Sequence, residues 1–162
     1  MGNINDINFK SNDINFTCRA CAIIFNDNKV LFQKRKNDSS WALPGGKIEL
    51  LETVEHAIRR ELSEELGITD ISIKSTSSIT ENFFEFNGEK NHQYVFTQLV
   101  KLRDLKYDSI TNEFSGIEPN KNVVFKWIDL SELDNYSIKP DYVKNQILEY
   151  NNSTKIITSN EL

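Results

Sequence analysis

Basic charge is in deficit in this chain. Nineteen Lys and Arg stand against 24 Asp and Glu, giving a formal net charge of −5 over 162 residues. A general nucleic-acid binder needs a basic face for the phosphate backbone, so this balance argues against a nucleic-acid partner. It leaves room for a phosphate ligand held through a metal. Long apolar runs are missing as well. No stretch approaches the roughly 18 residues of a membrane helix, and the polar start lacks the apolar core of a signal peptide. Met1-Gly2 matches the opening of a myristoylation signal, but Asp6 stands where Ser or Thr is required. We therefore expect a soluble cytoplasmic protein, monomer or homodimer, with no membrane partner. Cysteine is scarce too: Cys18 and Cys21 form a lone "CRAC". A zinc site would need a second pair or clustered histidines, and the chain has only His56 and His92, far apart. The pair reads as two small residues of a strand, where positions three apart face opposite sides.

What is present is ordinary globular composition, 38% hydrophobic and 27% charged, enough for one domain with a real core. "NDINF" occurs twice, at 5–9 and 12–16, too little for a solenoid. Residues 1–16 are expected to be a polar leader entering a strand. "TCRACAIIF" and "KVLFQKR" read as strands around "NDN". The runs 71–86 and 92–102 flank Asn87-Gly88, a strong hairpin signal, and "VVFKWIDL" is a further strand. Pro140 is placed to open a C-terminal helix. No linker rich in Gly, Pro or Ser divides the chain. The expected organisation is a leader at 1–16, one domain at 17–150 and a loosely held tail at 151–162.

The helix expected over roughly 53–66, with Thr53 as N-cap and Gly67 closing it, contains an oddity. Projected at about 100° per residue, Val54, Ala57, Ile58, Leu62 and Leu66 form one apolar arc. Glu61 and Glu65 fall inside that arc and Glu64 at its edge, whereas Arg60 projects to the opposite side. Like charges at i, i+3 and i+4 repel, and buried carboxylates are costly unless paired or metal-bound. A surface helix with scattered glutamates is the common alternative, but it leaves the buried positions unexplained. All-oxygen ligands favour a hard cation over zinc. Before the helix, "LPGG" permits a tight turn and a close backbone approach.

Taken together these residues resemble the Nudix box. Gly46, Glu52, Arg60, Glu61, Leu62, Glu64, Glu65, Gly67 and Ile68 fill its nine specified positions in register, and similarity to the wider layout runs from about 17 to 150. The resemblance implies an α/β protein of the Nudix fold, a mixed β-sheet sandwiched between α-helices. It implies hydrolysis of a diphosphate linkage in a nucleoside diphosphate derivative, with Mg²⁺ or Mn²⁺ as cofactor. Carried over by position, Glu61 and Glu65 become the prime metal ligands and Glu64 a ligand or the water-activating base. The Gly45 carbonyl completes the set, and Gly46, Glu52, Arg60 and Gly67 take structural roles, with Glu52 and Arg60 as an ion pair. Leu51 departs from the pattern, standing where members often carry Gly, and a changed loop is expected there.

Outside the box the signals thin out. The base in this family sometimes lies on another loop; Glu118 is the first candidate, then Glu113 and Glu81, each of which also reads as a solvated loop charge. Arg19, Lys34 and Arg35 are candidates for the phosphates, and a strand's solvent face would explain them equally well. The aromatics Phe83, Phe84, Phe86, Tyr94 and Phe96 offer a stacking surface for a base, although alternating aromatics on strands are more often core. Trp41 reads as packing. Two other functions compete. A non-catalytic nucleotide sensor of this fold usually loses the box glutamates, and this chain keeps all of them. Processing of RNA ends needs a basic approach surface that the net charge does not promise.

Overall fold

The computed structural model describes residues 5–103, 106–150 and 155–161. Its organising element is a long strand, β2 (Ile14–Asn26), which pairs with four others. It meets β1 (Asn8–Ser11), β3 (Lys29–Arg35) and β4 (Gly45–Lys47) antiparallel, and β6 (Glu89–Leu102) parallel. Beyond β6 lies β5 (Ile71–Phe86), its hairpin partner through Asn87-Gly88. Both turn residues have positive φ, 53° and 78°, as a two-residue hairpin of right-handed twist requires. On the other flank β3 pairs with β8 (Val123–Asp129), which is edged by the short β7 (Phe114–Ser115).

Two helices cover the two faces, and the side-chain alternation of β2 shows why. Ala20, Ala22 and Ile24 face one way and pack with Ala57, Ile58, Leu62 and Leu66 of α1 (Val54–Leu66). Cys21 and Ile23 face the other way and pack with Val143 and Ile147 of α2 (Tyr142–Leu148). A strand buried on both faces reads as a continuous apolar run, and "ACAIIF" is one. The expected mixed sheet between helices is therefore the observed architecture. Both cysteines are free and lie on opposite faces, Cys18 against the first core and Cys21 within the second.

Local chemistry fixes the ends of α1. Thr53 accepts a hydrogen bond from the His56 amide at 3.2 Å, and Gly67, at φ 67°, donates to the Ser63 carbonyl at 2.9 Å. Other expectations need correction. Pro140 does not open α2; it stands two residues ahead, with Asp141 between, and its carbonyl accepts from the Val143 amide at 3.1 Å. The leader is not merely a lead-in: the repeated "NDINF" folds back on itself as β1 and the start of β2. That places Phe9 opposite Phe16, rings stacked at 4.9 Å, with Asn12 of positive φ in the turn. The tail expected to be loosely held forms β9 (Lys155–Glu161), parallel to β5 from Ser78 to Phe84, while residues 151–154 lie outside the described ones.

The loop before α1 explains the unusual Leu51. This residue has φ 63° and a fully exposed side chain. Left-handed backbone costs a non-glycine residue about 1 kcal/mol, and nothing is buried in compensation. Leu51→Gly should therefore raise stability slightly, by about 0.5 kcal/mol once the extra freedom of the unfolded glycine is subtracted. Denaturant unfolding measures this; a loss of stability would show that Leu51 makes an unrecognised contact.

Candidate active site

The glycine turn and α1 meet at van der Waals distance. Gly45 has φ 144°, and a Cβ there would lie 2.1 Å from the Ala20 carbonyl oxygen, so no side chain fits. A Cβ on Gly46 would lie 2.0 Å from a carboxylate oxygen of Glu61. Glycine at this position is what lets the Glu61 side chain lie against the β4 backbone. Glu61 and Glu65 are 5% and 4% exposed, as their place in the apolar arc predicts. Glu64, at the edge of the arc, is half-exposed.

Two cations hold this acidic cluster together. Arg60 donates to Glu52 through Nε at 2.8 Å and Nη2 at 3.0 Å, to the Lys47 carbonyl at 3.0 Å and to Glu61 Oε1 at 2.8 Å. Glu64 accepts a weaker contact from it at 3.4 Å. The projection had sent Arg60 to the solvent side. Its side chain is long enough to curl back over the helix, so the direction of its Cα does not decide where the guanidinium goes. The Glu52 hydrogen bond first, then that of Glu61, raises the Arg60 pKa further. Arg60 also holds Glu52 below the usual carboxylate range, with help from the Glu49 amide, despite partial burial.

The second cation is Lys121, which the sequence reading missed. Its Nζ lies 3.5 Å from Glu61, 3.5 Å from Glu65 and 2.9 Å from Glu118. Burial alone would lower its pKa, but the Glu118 hydrogen bond and the Glu61 and Glu65 charges outweigh that and raise it. The loop reaches the site because the Ile117 amide donates to the Glu65 carbonyl at 2.8 Å. Glu118 and Lys121 are three residues apart, and their spacing on a loop gave no periodic signal. Burial, followed by the Glu61 charge, pushes the Glu65 carboxyl up to about 7.

Apart from Glu52, these carboxylates and cations line one cleft of about 1330 Å³, and Arg19, Lys34, Arg35 and Lys36 line it too. The acidic patch and a basic one thus share a cavity. Arg19 and Gln33 donate to the Gly45 carbonyl at 3.5 and 3.2 Å. Glu118, Arg19 and Arg35 are thus brought to the cleft. Glu81 is not: it accepts from Tyr94 and pairs with His92, both at 3.1 Å, and Glu113 is exposed and lines no cavity described here. The aromatics divide by strand alternation. Phe83 stacks on His92 and Tyr94 adjoins it, Phe96 packs on the α1 core, and Phe84 and Phe86 line a second cavity. Trp41 is buried in the α2 core, with Lys34 over its ring.

Among the described residues, no three His, Cys, Asp or Glu side chains are arranged as a ready metal cage. The reason is visible in the pairing: Glu61 and Glu64 turn to Arg60, and Glu61, Glu65 and Glu118 share Lys121. The donor chemistry nonetheless fits a hard cation. Six carboxylates share two cations, Glu49 the most distant at 3.9 Å from Arg60, and the buried Glu65 Oε2 has no hydrogen-bond partner among the described residues.

The class of the protein is thus an α/β fold, a mixed sheet between helices, with paired carboxylates and cations in one cleft. The NUDIX domain family model matches residues 16–146, and the chain belongs to this family as a Nudix hydrolase. It is 30% identical over 112 residues to a nucleoside triphosphatase NudI of Escherichia coli O81 (strain ED1a), covering 61% of this chain and 79% of the relative. It is 53% identical over 49 residues to an ADP-ribose pyrophosphatase of Methanocaldococcus jannaschii, 28% of this chain and 29% of that one. The fold resembles the mutator MutT protein of Bacillus halodurans, with TM-score 0.59, 17% identity and 88% of each chain covered. No helix among the described residues is long and apolar enough to cross a membrane.

Proposed function

We propose that this enzyme cleaves the diphosphate linkage of a nucleoside diphosphate derivative with the help of Mg²⁺ or Mn²⁺. The observation that carries the reading is the buried, under-neutralised pair Glu61 and Glu65, Glu61 pressed against the glycine turn, in a cleft that also presents Arg19, Lys34, Arg35 and Lys36. Buried carboxylates of this kind repel a polyanion, whereas the basic side chains attract one. A divalent cation held by these carboxylates would reconcile the two, since it would supply charge neutralisation and a more acidic water.

Glu61 and Glu65 would hold the cation, with Glu64 as a further ligand or the base and the Gly45 carbonyl as a backbone ligand. Arg60 keeps Glu52 and the β4 loop fixed to α1, so the carboxylates are positioned before substrate arrives. Arg19 and Arg35 are suited to the phosphates, where guanidinium can bind two oxygens at once. Glu118 reaches in from its loop and is a second candidate to take the proton from the attacking water. The names of the two relatives, a nucleoside triphosphatase and an ADP-ribose pyrophosphatase, agree with a nucleotide-like substrate.

The test is a screen of nucleoside diphosphate derivatives and nucleoside triphosphates with Mg²⁺ or Mn²⁺, analysed for phosphate-ester products. We expect turnover of at least one compound and none after chelation of the metal. Compounds that bind but are never hydrolysed with either metal would favour the sensor reading instead.

A further inference from the structure

Both oxygens of Glu61 face a cation. Arg60 Nη1 lies 2.8 Å from Oε1, and Lys121 Nζ lies 3.5 Å from Oε2. Glu65 presents its Oε1 to the same Nζ at 3.5 Å, and Glu118 its Oε2 at 2.9 Å. The ammonium therefore stands where carboxylate oxygens of three residues converge. On the two buried glutamates only Glu65 Oε2 is left over, without a hydrogen-bond partner among the described residues. A divalent cation bound by both glutamates would have to enter beside the ammonium. Like charges that close repel strongly in a partly buried site, so one of the two resident cations has to leave.

Arg60 is not the one to go. Its guanidinium makes two bonds to Glu52, one to the Lys47 carbonyl and one to Glu61, a planar fork set against fixed acceptors. Lys121 offers a point charge on a flexible stem, and its side chain is 40% exposed against 24% for Arg60. Its loop, between β7 and β8, is pinned by backbone alone. The Ile117 amide donates to the Glu65 carbonyl at 2.8 Å, the Gly116 amide to the Val123 carbonyl at 2.9 Å, and the Lys36 amide to the Asn122 carbonyl at 2.8 Å. The side chain can swing while these bonds hold the loop in place. A released ammonium then stays in the cleft that Arg35 and Lys36 also line.

We propose that Lys121 is a tethered counter-ion whose ammonium holds the place of a divalent cation among Glu61, Glu65 and Glu118, and which that cation must displace in order to bind. This rests on the metal-dependent reading above. Lys121 is then a positioning residue with two effects. It keeps mutually repelling carboxylates gathered before the cation arrives. It also sets the concentration at which the cation binds, because only molecules with the ammonium swung away can accept it. A lysine with a merely structural role would have the first effect and not the second.

The melting temperature of the full chain against Mg²⁺ and Mn²⁺ concentration, in parent and variants, tests this. Lys121→Met keeps the stem and removes the charge. Without metal its melting temperature should fall, because Glu61 and Glu65 lose the cation they share. Its half-saturating Mg²⁺ should nonetheless fall about tenfold or more, as expected where the ammonium is swung away in about a tenth of parent molecules or fewer. Lys36→Met removes a charge from the same cleft but not from these carboxylates, and should move half-saturation by less than about threefold. If Lys121→Met does not fold without metal, Lys121→Gln, whose amide can still donate, takes its place. Half-saturation that is unchanged or higher in the Lys121 variant would overturn the proposal, since it would mean that the lysine only braces the carboxylates. An equal fall in Lys36→Met would overturn it too, by showing a general effect of cleft charge. A parent without thermal response to either metal would remove the metal-dependent reading and this proposal together. If Lys121→Met binds Mg²⁺ more tightly while the parent hydrolyses none of the screened compounds, the displacement stands and the hydrolytic reading alone falls.

Discussion

Replacing Glu61 and Glu65 together by Gln should remove the rise in melting temperature that Mg²⁺ or Mn²⁺ gives the parent protein, and should lower turnover by about a thousandfold or more. A cation that binds only the folded state raises its stability by mass action; Glu61 lies against the glycine turn, and Glu65 is buried and shares Lys121 with it. Gln keeps their shape and removes their charge. Arg60 retains Glu52, and Lys121 retains Glu118, so neither cation is stranded and the metal-free fold should survive. Glu64→Gln is the companion measurement. Its side chain is half-exposed with only a 3.4 Å contact to Arg60, so stability should hardly change while turnover still falls by orders of magnitude, whether Glu64 is a ligand or the base. A metal response that persists in the double variant would remove the site from α1, and near-normal turnover in Glu64→Gln would move attention to Glu118.

The helix and its glutamates were readable from sequence because periodicity, caps and burial all act locally. Thr53 and Gly67 state their roles in residue type, and the 3.6-residue period puts Glu61 and Glu65 in the apolar arc before any coordinates exist. The strand order was not readable in this way. That β2 pairs in parallel with β6, and sits between it and β3, depends on contacts across long separations that no single segment encodes. The ion pair of Arg60 with Glu52 that the resemblance implied is present, but the projection misplaced Arg60 and the reading missed Lys121, for different reasons. Arg60 lies where a projection of Cα directions misleads for a long flexible side chain, and Lys121 comes from a loop with no period to read. The leader was taken for a mere lead-in to a strand, and the tail for a loose end, because both are polar. Polar strands can still complete a sheet through backbone hydrogen bonds, as β1 and β9 do.

The affinity for Mg²⁺ should depend steeply on pH below neutrality. Burial and the Glu61 charge push the Glu65 carboxyl up to about 7 from its ordinary value of 4.5, so in the metal-free protein Glu65 holds its proton across the acidic range. A carboxyl whose pKa is raised by folding contributes stability that is fully present below 4.5 and is lost as pH rises toward 7. On account of this group, the metal-free protein should therefore be less stable at pH 8 than at pH 5. A divalent cation needs the ionised form, so its binding displaces that proton. Half-saturating Mg²⁺, read from the thermal shift, should fall by up to about tenfold per pH unit between roughly 5 and 7 and then level off. Glu65→Gln removes the titrating group and should flatten this dependence while weakening binding throughout. Turnover limited by metal occupancy would climb over the same interval, and an excess of Mg²⁺ would shift its rise to lower pH. If half-saturation were constant from pH 5 to 7, Glu65 would not be ionising on metal binding, and its place among the ligands would have to be given up.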